Sequence, residues 1–267
     1  MTVALTLRTY IHERGRYRVK RFLLLMPLLL ALLGCGFVES EPEPSGAVLV
    51  ILGDRSPSGM AAQDSQRRHV SDYFAPLAAE HEARVVVASI DGAALDQPEY
   101  QDSATFDTAA AQGNPDGEAN IRDEGRQELL AETDALFAAE AEAQAANSSD
   151  VAGALGWAAT TLRNARGNDG WRGLAILSDA VSTAPPCNML LSPPVDVEAA
   201  IAACFPAGVP DLTGVDVYFA GATAYPGVER PPVAADVLQA FWTAVVERGG
   251  GTLRAFAPTL LGESTNE

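Results

Sequence analysis

Hydroxyl and carboxylate side chains gather at three places in this 267-residue chain. The first is Asp54-Arg-Ser56-Pro-Ser58, the second Ser148-Ser149-Asp150 and the third Ser178-Asp179. Oxygen donors of this kind are hard ligands, suited to Mg²⁺ or Mn²⁺ and unsuited to zinc or copper. Mg²⁺ requires near-octahedral oxygens at about 2.0–2.1 Å and gives up its waters reluctantly. Each cluster also has a plainer use, because Asp and Ser are ordinary turn and N-cap residues. Ser148 or Ser149 could cap a following helix, and Asp179 could open a turn. Other metal chemistry has weaker support. His12 falls in the N-terminal segment, and His69 and His81 lie twelve apart on one expected helix, a spacing unsuited to a metal pair, so both read as surface or half-buried residues. Walker-type and Gly-x-Ser-x-Gly loops are absent from the sequence.

The elements that must position these clusters follow from hydrophobic patterning. Ala47 to Leu52 is a short continuous apolar run, the mark of a buried parallel strand. Gln63 to Glu82 reads as a helix with Val70, Tyr73, Phe74 and Leu77 on one face. Arg84 to Ile90 is a second strand. Residues 91–122, rich in Gly, Asp, Asn, Gln and Pro, read as a long surface excursion. Helices are expected over Glu124–Ala146 and Val151–Ala165, a strand over Gly173–Leu177, and a Pro-rich loop over 180–212. A strand at Asp216–Ala220, a helix at Ala234–Arg248 and a strand at Thr252–Phe256 complete the chain. This alternation implies an α/β fold: a Rossmann-like, mostly parallel central sheet with helices on both faces. In such sheets ligands bind beyond the carboxyl ends of the strands. Asp54 and Asp179 fall directly after strands and Ser149 directly before a helix. Asp54 is expected in a solvent-facing loop.

With that placement, the three clusters resemble the metal-ion-dependent adhesion site of von Willebrand factor A domains. Asp54-x-Ser56-x-Ser58 is similar to that family's first motif. Ser149-Asp-Val-Ala-Gly-Ala-Leu155 resembles its Thr-Asn/Asp-Ile-x-x-Ala-Leu segment, and Leu177-Ser-Asp179-Ala its Leu-Thr-Asp-Gly stretch. The likeness spans roughly residues 46–257, but its specific part is these short motifs. It implies Mg²⁺ or Mn²⁺ bound directly by Ser56 and Ser58, with Asp54 and Asp179 acting largely through waters. Ser149 would bind directly or through water. It also implies a protein partner that supplies a carboxylate to the ion. Serine for threonine at 149 keeps the hydroxyl. Alanine for glycine at 180 removes backbone freedom beside Asp179.

The N-terminus reads as a targeting signal. Arg14 to Arg21 is basic, Phe22 to Leu33 is apolar and Leu32-Leu33-Gly34-Cys35 follows. An apolar run of about a dozen residues is short of the roughly 20 a permanent bilayer span needs. The last four residues resemble the bacterial lipobox, which implies a leader over 1–34, lipidation of Cys35 and a tether over 35–46, leaving the von Willebrand factor A-like domain over 47–260. The protein would then lie in the cell envelope, outside the cytoplasm, holding the membrane only through its lipid. Beyond residue 21 the chain has 12 arginines, no lysine and 34 acidic residues, a balance of −22. A body so acidic repels nucleic acid and anionic lipid. In an oxidising compartment Cys187 and Cys204 read as a disulfide, with two buried thiols as the alternative. The resulting expectation is a lipid-anchored binding module without catalytic activity. The alternatives are a Mg²⁺-dependent hydrolase, or a cell-surface small-molecule receptor with 91–122 as a lid.

Overall fold

The computed structural model describes residues 46–90, 100–138, 148–165, 170–224 and 232–261. The leader, Cys35 and all but the last residue of the expected tether lie outside these. In chain order the elements begin with β1 (Val48–Asp54), a short helix α1 (Pro57–Ala61) and α2 (Gln63–His69). A π-helical turn (Val70–Phe74) leads from α2 into α3 (Ala75–Glu80). Then come β2 (Arg84–Ile90), β3 (Tyr100–Thr105), a 3₁₀ turn (Ala109–Ala111) and α4 (Pro115–Ala138). The second half holds α5 (Val151–Asn164), β4 (Arg172–Leu177), α6 (Val197–Cys204), β5 (Val215–Ala220), α7 (Ala235–Arg248) and β6 (Thr252–Ala257). Among the described residues no helix is long and apolar enough to cross a membrane.

The six strands form one sheet in the order β3-β2-β1-β4-β5-β6. Every neighbouring pair is parallel except β2 with β3. Strand β1 is buried along its whole length and β2 along all but its first residue, as expected for strands covered on both faces. Because side chains alternate, one strand feeds two cores. Val48, Val50 and Leu52 meet α5, α7 and the loop carrying Met189, while Leu49 and Ile51 meet the α2–α3 arm and α4. Helices therefore lie on both faces, as the patterning requires.

Three expectations change. The excursion at 91–122 contains the edge strand β3, the 3₁₀ turn and the first residues of α4, which starts at Pro115 rather than Glu124. Pro115 at the first position with Asp116 and Glu118 in the first turn is a sound helix start. Residues 139–147, where the helix was expected to continue, lie outside the described residues. The loop at 180–212 contains α6, capped by Asp196, whose carboxylate accepts from the Ala199 amide at 3.1 Å.

Cys187 and Cys204 are joined by a disulfide that ties the end of α6 to the loop after β4. A cross-link over 17 positions restricts the unfolded chain, and reduction should destabilise the protein by roughly 3 kcal/mol on chain-entropy grounds. Urea titration with and without a reductant measures this. Overlapping curves would show that the bond adds nothing.

Candidate metal centre

The strand order changes direction between β1 and β4: the chain first builds outward to β3, then returns and builds toward β6. At such a switch the loops after two adjacent strands diverge and open a crevice. Asp54 ends β1, and Ser178 and Asp179 directly follow β4. Ser149 comes to the same place from the start of α5.

The five expected site residues form one hydrogen-bonded cluster. Asp54 Oδ1 accepts from the Ser56 amide at 2.8 Å, which folds the loop back on itself. Ser56 Oγ lies 3.0 Å from Ser58 Oγ, and Ser58 donates to Asp179 Oδ2 at 2.9 Å across 121 positions of sequence. Ser149 Oγ donates to Asp54 Oδ2 at 3.1 Å. Gly59 makes the loop possible. A Cβ there would lie 2.0 Å from the Asp54 carbonyl oxygen, and the Gly59 amide donates to Ser56 Oγ at 3.3 Å.

The competing role for Ser149 is filled by its neighbour. Asp150 caps α5, its Oδ1 accepting from the Gly153 amide at 2.8 Å. Ser149 is pinned through its backbone: its amide donates to Thr183 Oγ1 at 2.7 Å and its carbonyl accepts from the Thr183 amide at 2.7 Å. Its hydroxyl is thereby directed at Asp54. Asp179 does both jobs the sequence allowed, since Oδ1 accepts from the Val181 amide in a turn while Oδ2 meets Ser58.

Two side chains outside the five expected site residues belong to the cluster. Ser178 Oγ donates to Asp54 Oδ2 at 2.6 Å and accepts from the Ala180 amide at 3.1 Å. Trp242 of α7 donates from Nε1 to the Ala180 carbonyl at 2.9 Å. Between these anchors Ala180 adopts φ +68°, the left-handed conformation glycine takes freely and alanine only at a cost of order 1 kcal/mol. A signal for Ser178 was present, since its hydroxyl stands in the third cluster. A tryptophan 62 positions away from Ala180 carried none.

Asp54 is fully buried rather than solvent-facing, because it terminates a central strand beneath three loops. Burial pushes its carboxyl above the ordinary carboxylate range, against the opposing pull of the Ser178, Ser56 and Ser149 hydrogen bonds. Burial also raises Asp179, and the negative charge of Asp54 adds to this, taking it to about 6. Two carboxylates thus repel each other in a largely buried crevice lined by hydroxyls, a donor set that fits a hard divalent cation. His69, expected at or near the surface, is instead buried, with Nε2 accepting the Leu260 amide at 3.2 Å. Among the described residues no group of three or more His, Cys, Asp and Glu side chains could hold a metal. The cluster here is built mainly from serines.

No protein-family profile matches the chain, and no curated protein matches it. Solved structures do. The VWA domain of SpRpn10 aligns over 80% of this chain and 89% of its own, at 10% identity and TM-score 0.39. The human COPII-coat protein Sec24c aligns over 80% of this chain at 14% identity and TM-score 0.41. The pilus adhesin SpaC from Lactobacillus rhamnosus GG, in its open conformation, aligns over 76% at 11% identity and TM-score 0.34. The chain spans 30% of the length of each of these last two.

The raised carboxyl of Asp179 has a measurable consequence. Between the ordinary carboxylate value and about 6, the folded state holds a proton that the unfolded state has lost. Metal-free stability should therefore rise as the pH falls from 7 through 6, the sign opposite to that of a salt-bridged aspartate. A divalent ion held at this crevice would have to displace that proton, so its affinity would fall about tenfold between pH 7 and pH 5. Calorimetric titration at the two pH values checks this. Equal affinities would remove Asp179 from the metal's surroundings.

Proposed function

We propose that this chain is a lipid-anchored, extracytoplasmic binding module that captures a protein partner through a Mg²⁺ or Mn²⁺ ion. The observation that carries this reading is the convergence of Asp54, Ser56, Ser58, Ser149 and Asp179 on one crevice at the sheet's switch point. Ser56, Ser58 and Ser149 would hold the ion, with Asp54 and Asp179 orienting them and the remaining water shell. The bound ion would act as a Lewis acid toward an incoming carboxylate. Direct ligands that are neutral leave much of the ion's charge uncompensated, and a carboxylate from an Asp or Glu of the partner answers that charge. Ser58 and Asp179 are the partly exposed members of the cluster, so the approach lies on their side. The chain's task in this reading is binding, not catalysis.

Differential scanning calorimetry of the chain with Mg²⁺, Mn²⁺ or a chelator tests the metal. Stabilisation by both ions and its reversal by the chelator are expected. No binding near millimolar concentration would reduce the three clusters to turns and hydrogen-bonded loops. The anchor is tested separately. Because Leu32-Leu33-Gly34-Cys35 follows a basic and apolar leader, the mature protein should begin at a Cys35 carrying diacylglycerol. Intact-mass spectrometry reads this directly, and an exported chain with unmodified Cys35 would end the anchoring proposal.

A further inference from the structure

The backbone of Ser149 is gripped by one short segment of the chain. Its amide donates to Thr183 Oγ1 at 2.7 Å, and its carbonyl accepts from the amides of Thr183 at 2.7 Å and Ala184 at 3.2 Å. The Ser182 hydroxyl adds a longer bond to the same carbonyl, at 3.4 Å. The segment then closes on itself. The Asn188 side-chain amide donates to the Thr183 carbonyl at 2.7 Å, and the Met189 amide to the Ser182 carbonyl at 2.8 Å. Ser182–Met189 is thus a strap lying across Ser149. Between its grip and its return come Pro185 and Pro186, which have no amide to donate.

The strap is fastened by the buried side chains of Ala184 and Met189 and by one covalent link, from Cys187 to Cys204 at the end of α6. The two halves of that link are unequal. Cys187, on the strap, is buried. Cys204 is half-buried and lines an open groove of about 500 Å³, shared with Gly156 and Trp157 of α5. A thiolate arriving from solvent therefore meets Cys204 first.

We infer that this disulfide is a redox-sensitive clip on the crevice: closed, it holds the strap that presents the Ser149 hydroxyl to Asp54, and opened, it lets that hydroxyl go. The Ser149 side chain is short, so its 3.1 Å bond to Asp54 Oδ2 depends on where the strap keeps its backbone. Opening takes a dithiol reductant. Its first thiolate attacks Cys204 Sγ, the S–S bond breaks, and Cys187 leaves as a thiolate that takes up a proton. The second thiolate attacks the mixed disulfide, frees Cys204 as a thiol and closes the reductant's own disulfide. Two electrons pass to the protein, and the half released first is the half on the strap. Where it concerns an ion the inference rests on the metal reading above; the strap's hold on Ser149 does not.

The test compares the full chain oxidised and reduced with dithiothreitol, its thiol state checked by alkylation and mass. In metal-free protein, amide hydrogen exchange at Ser149, Thr183 and Ala184 should speed up on reduction by at least roughly tenfold more than at Val50 and Leu52 of β1, the mark of a local opening. Calorimetric titration should show Mg²⁺ affinity falling by roughly tenfold or more, the usual cost of losing a group that orients a ligand. In the oxidised chain Thr183→Val keeps the disulfide but removes the acceptor for the Ser149 amide, and it should reproduce both effects. Thr183→Ser should restore native behaviour. Exchange rising no more at the three positions than in β1 would overturn the inference. So would native exchange at Ser149 in the Thr183→Val chain, or an ion affinity that reduction leaves unchanged. Absence of Mg²⁺ binding in both redox states would instead sink the metal reading, and the exchange pattern would still decide the clip.

Discussion

Asp54→Asn is expected to erase the stabilisation that Mg²⁺ or Mn²⁺ at the proposed site would give the native chain, while leaving the metal-free protein as stable as before, or more so. Asparagine keeps the shape and one acceptor for the Ser56 amide. The Ser149 and Ser178 hydroxyls, which donate to Asp54 Oδ2, can rotate to accept from the new amide group. The substitution also removes a buried charge and the repulsion it exerts on Asp179. What it cannot supply is the negative charge that orders the ion's shell. At a metal concentration of 100 Kd the native gain is about 2.7 kcal/mol, and this should vanish in the variant. Asp54→Ala behaves differently. It leaves two buried hydroxyls and a buried amide without their acceptor, and should cost the metal-free fold about 1–3 kcal/mol in addition. Paired melts with metal and with chelator separate the two effects. An Asp54→Asn chain that still gains stability from Mg²⁺ would place the ion elsewhere.

Trp242→Ala should be the most damaging single change outside the crevice, at about 3–5 kcal/mol. Trp242 is fully buried between Phe219 and Phe241, with ring centroids 5.1 Å and 5.0 Å away. Its indole N–H also clamps the Ala180 carbonyl, so the same side chain fills the core and holds the loop carrying Asp179 in its left-handed turn. Trp242→Phe divides these roles. It keeps most of the packing but loses a hydrogen bond worth about 0.5–1.5 kcal/mol, and it should weaken divalent-ion affinity beyond what its stability change alone explains. Denaturation gives the first number and calorimetric titration the second. Unchanged affinity in the Trp242→Phe chain would mean that the Asp179 loop holds its shape without the clamp.

Five of the sheet's six strands, and the convergence of Asp54, Ser56, Ser58, Ser149 and Asp179, could be read before any coordinates because both rest on local chemistry. Continuous apolar runs such as Val48 to Leu52 announce buried strands, and oxygen donors just past their ends fall where parallel sheets place ligands. Elements without a buried face left weaker traces. The first half of α4 is largely exposed and the helix's buried apolar side chains, Leu129, Leu136 and Phe137, all lie in the second half, so no apolar period marked where it begins. Strand β3 lies at the sheet's edge and its sequence, YQDSAT, is mostly polar. The sequence offered Ser148 or Ser149 as the cap of α5, whereas the cap is Asp150, and these residue types cap equally well. The Thr183 hydroxyl, 34 positions away, pins the Ser149 backbone and fixes which side chain points where.

The polarity of β1 has a practical consequence for handling the protein. Residue 46 leads into one end of a seven-residue strand whose other end is Asp54, and the strand's ends, Val48 and Asp54, lie about 20 Å apart at roughly 3.3 Å per residue. A fluorophore, affinity tag or solid support attached on the residue-46 side leaves the serine crevice clear and facing outward. Attachment after β6 does the opposite. The carbonyl of Ala257 accepts from the Ala222 amide, and the next amide, that of Thr223, donates to the Asp179 carbonyl. A label placed there crowds the loops it is meant to report on.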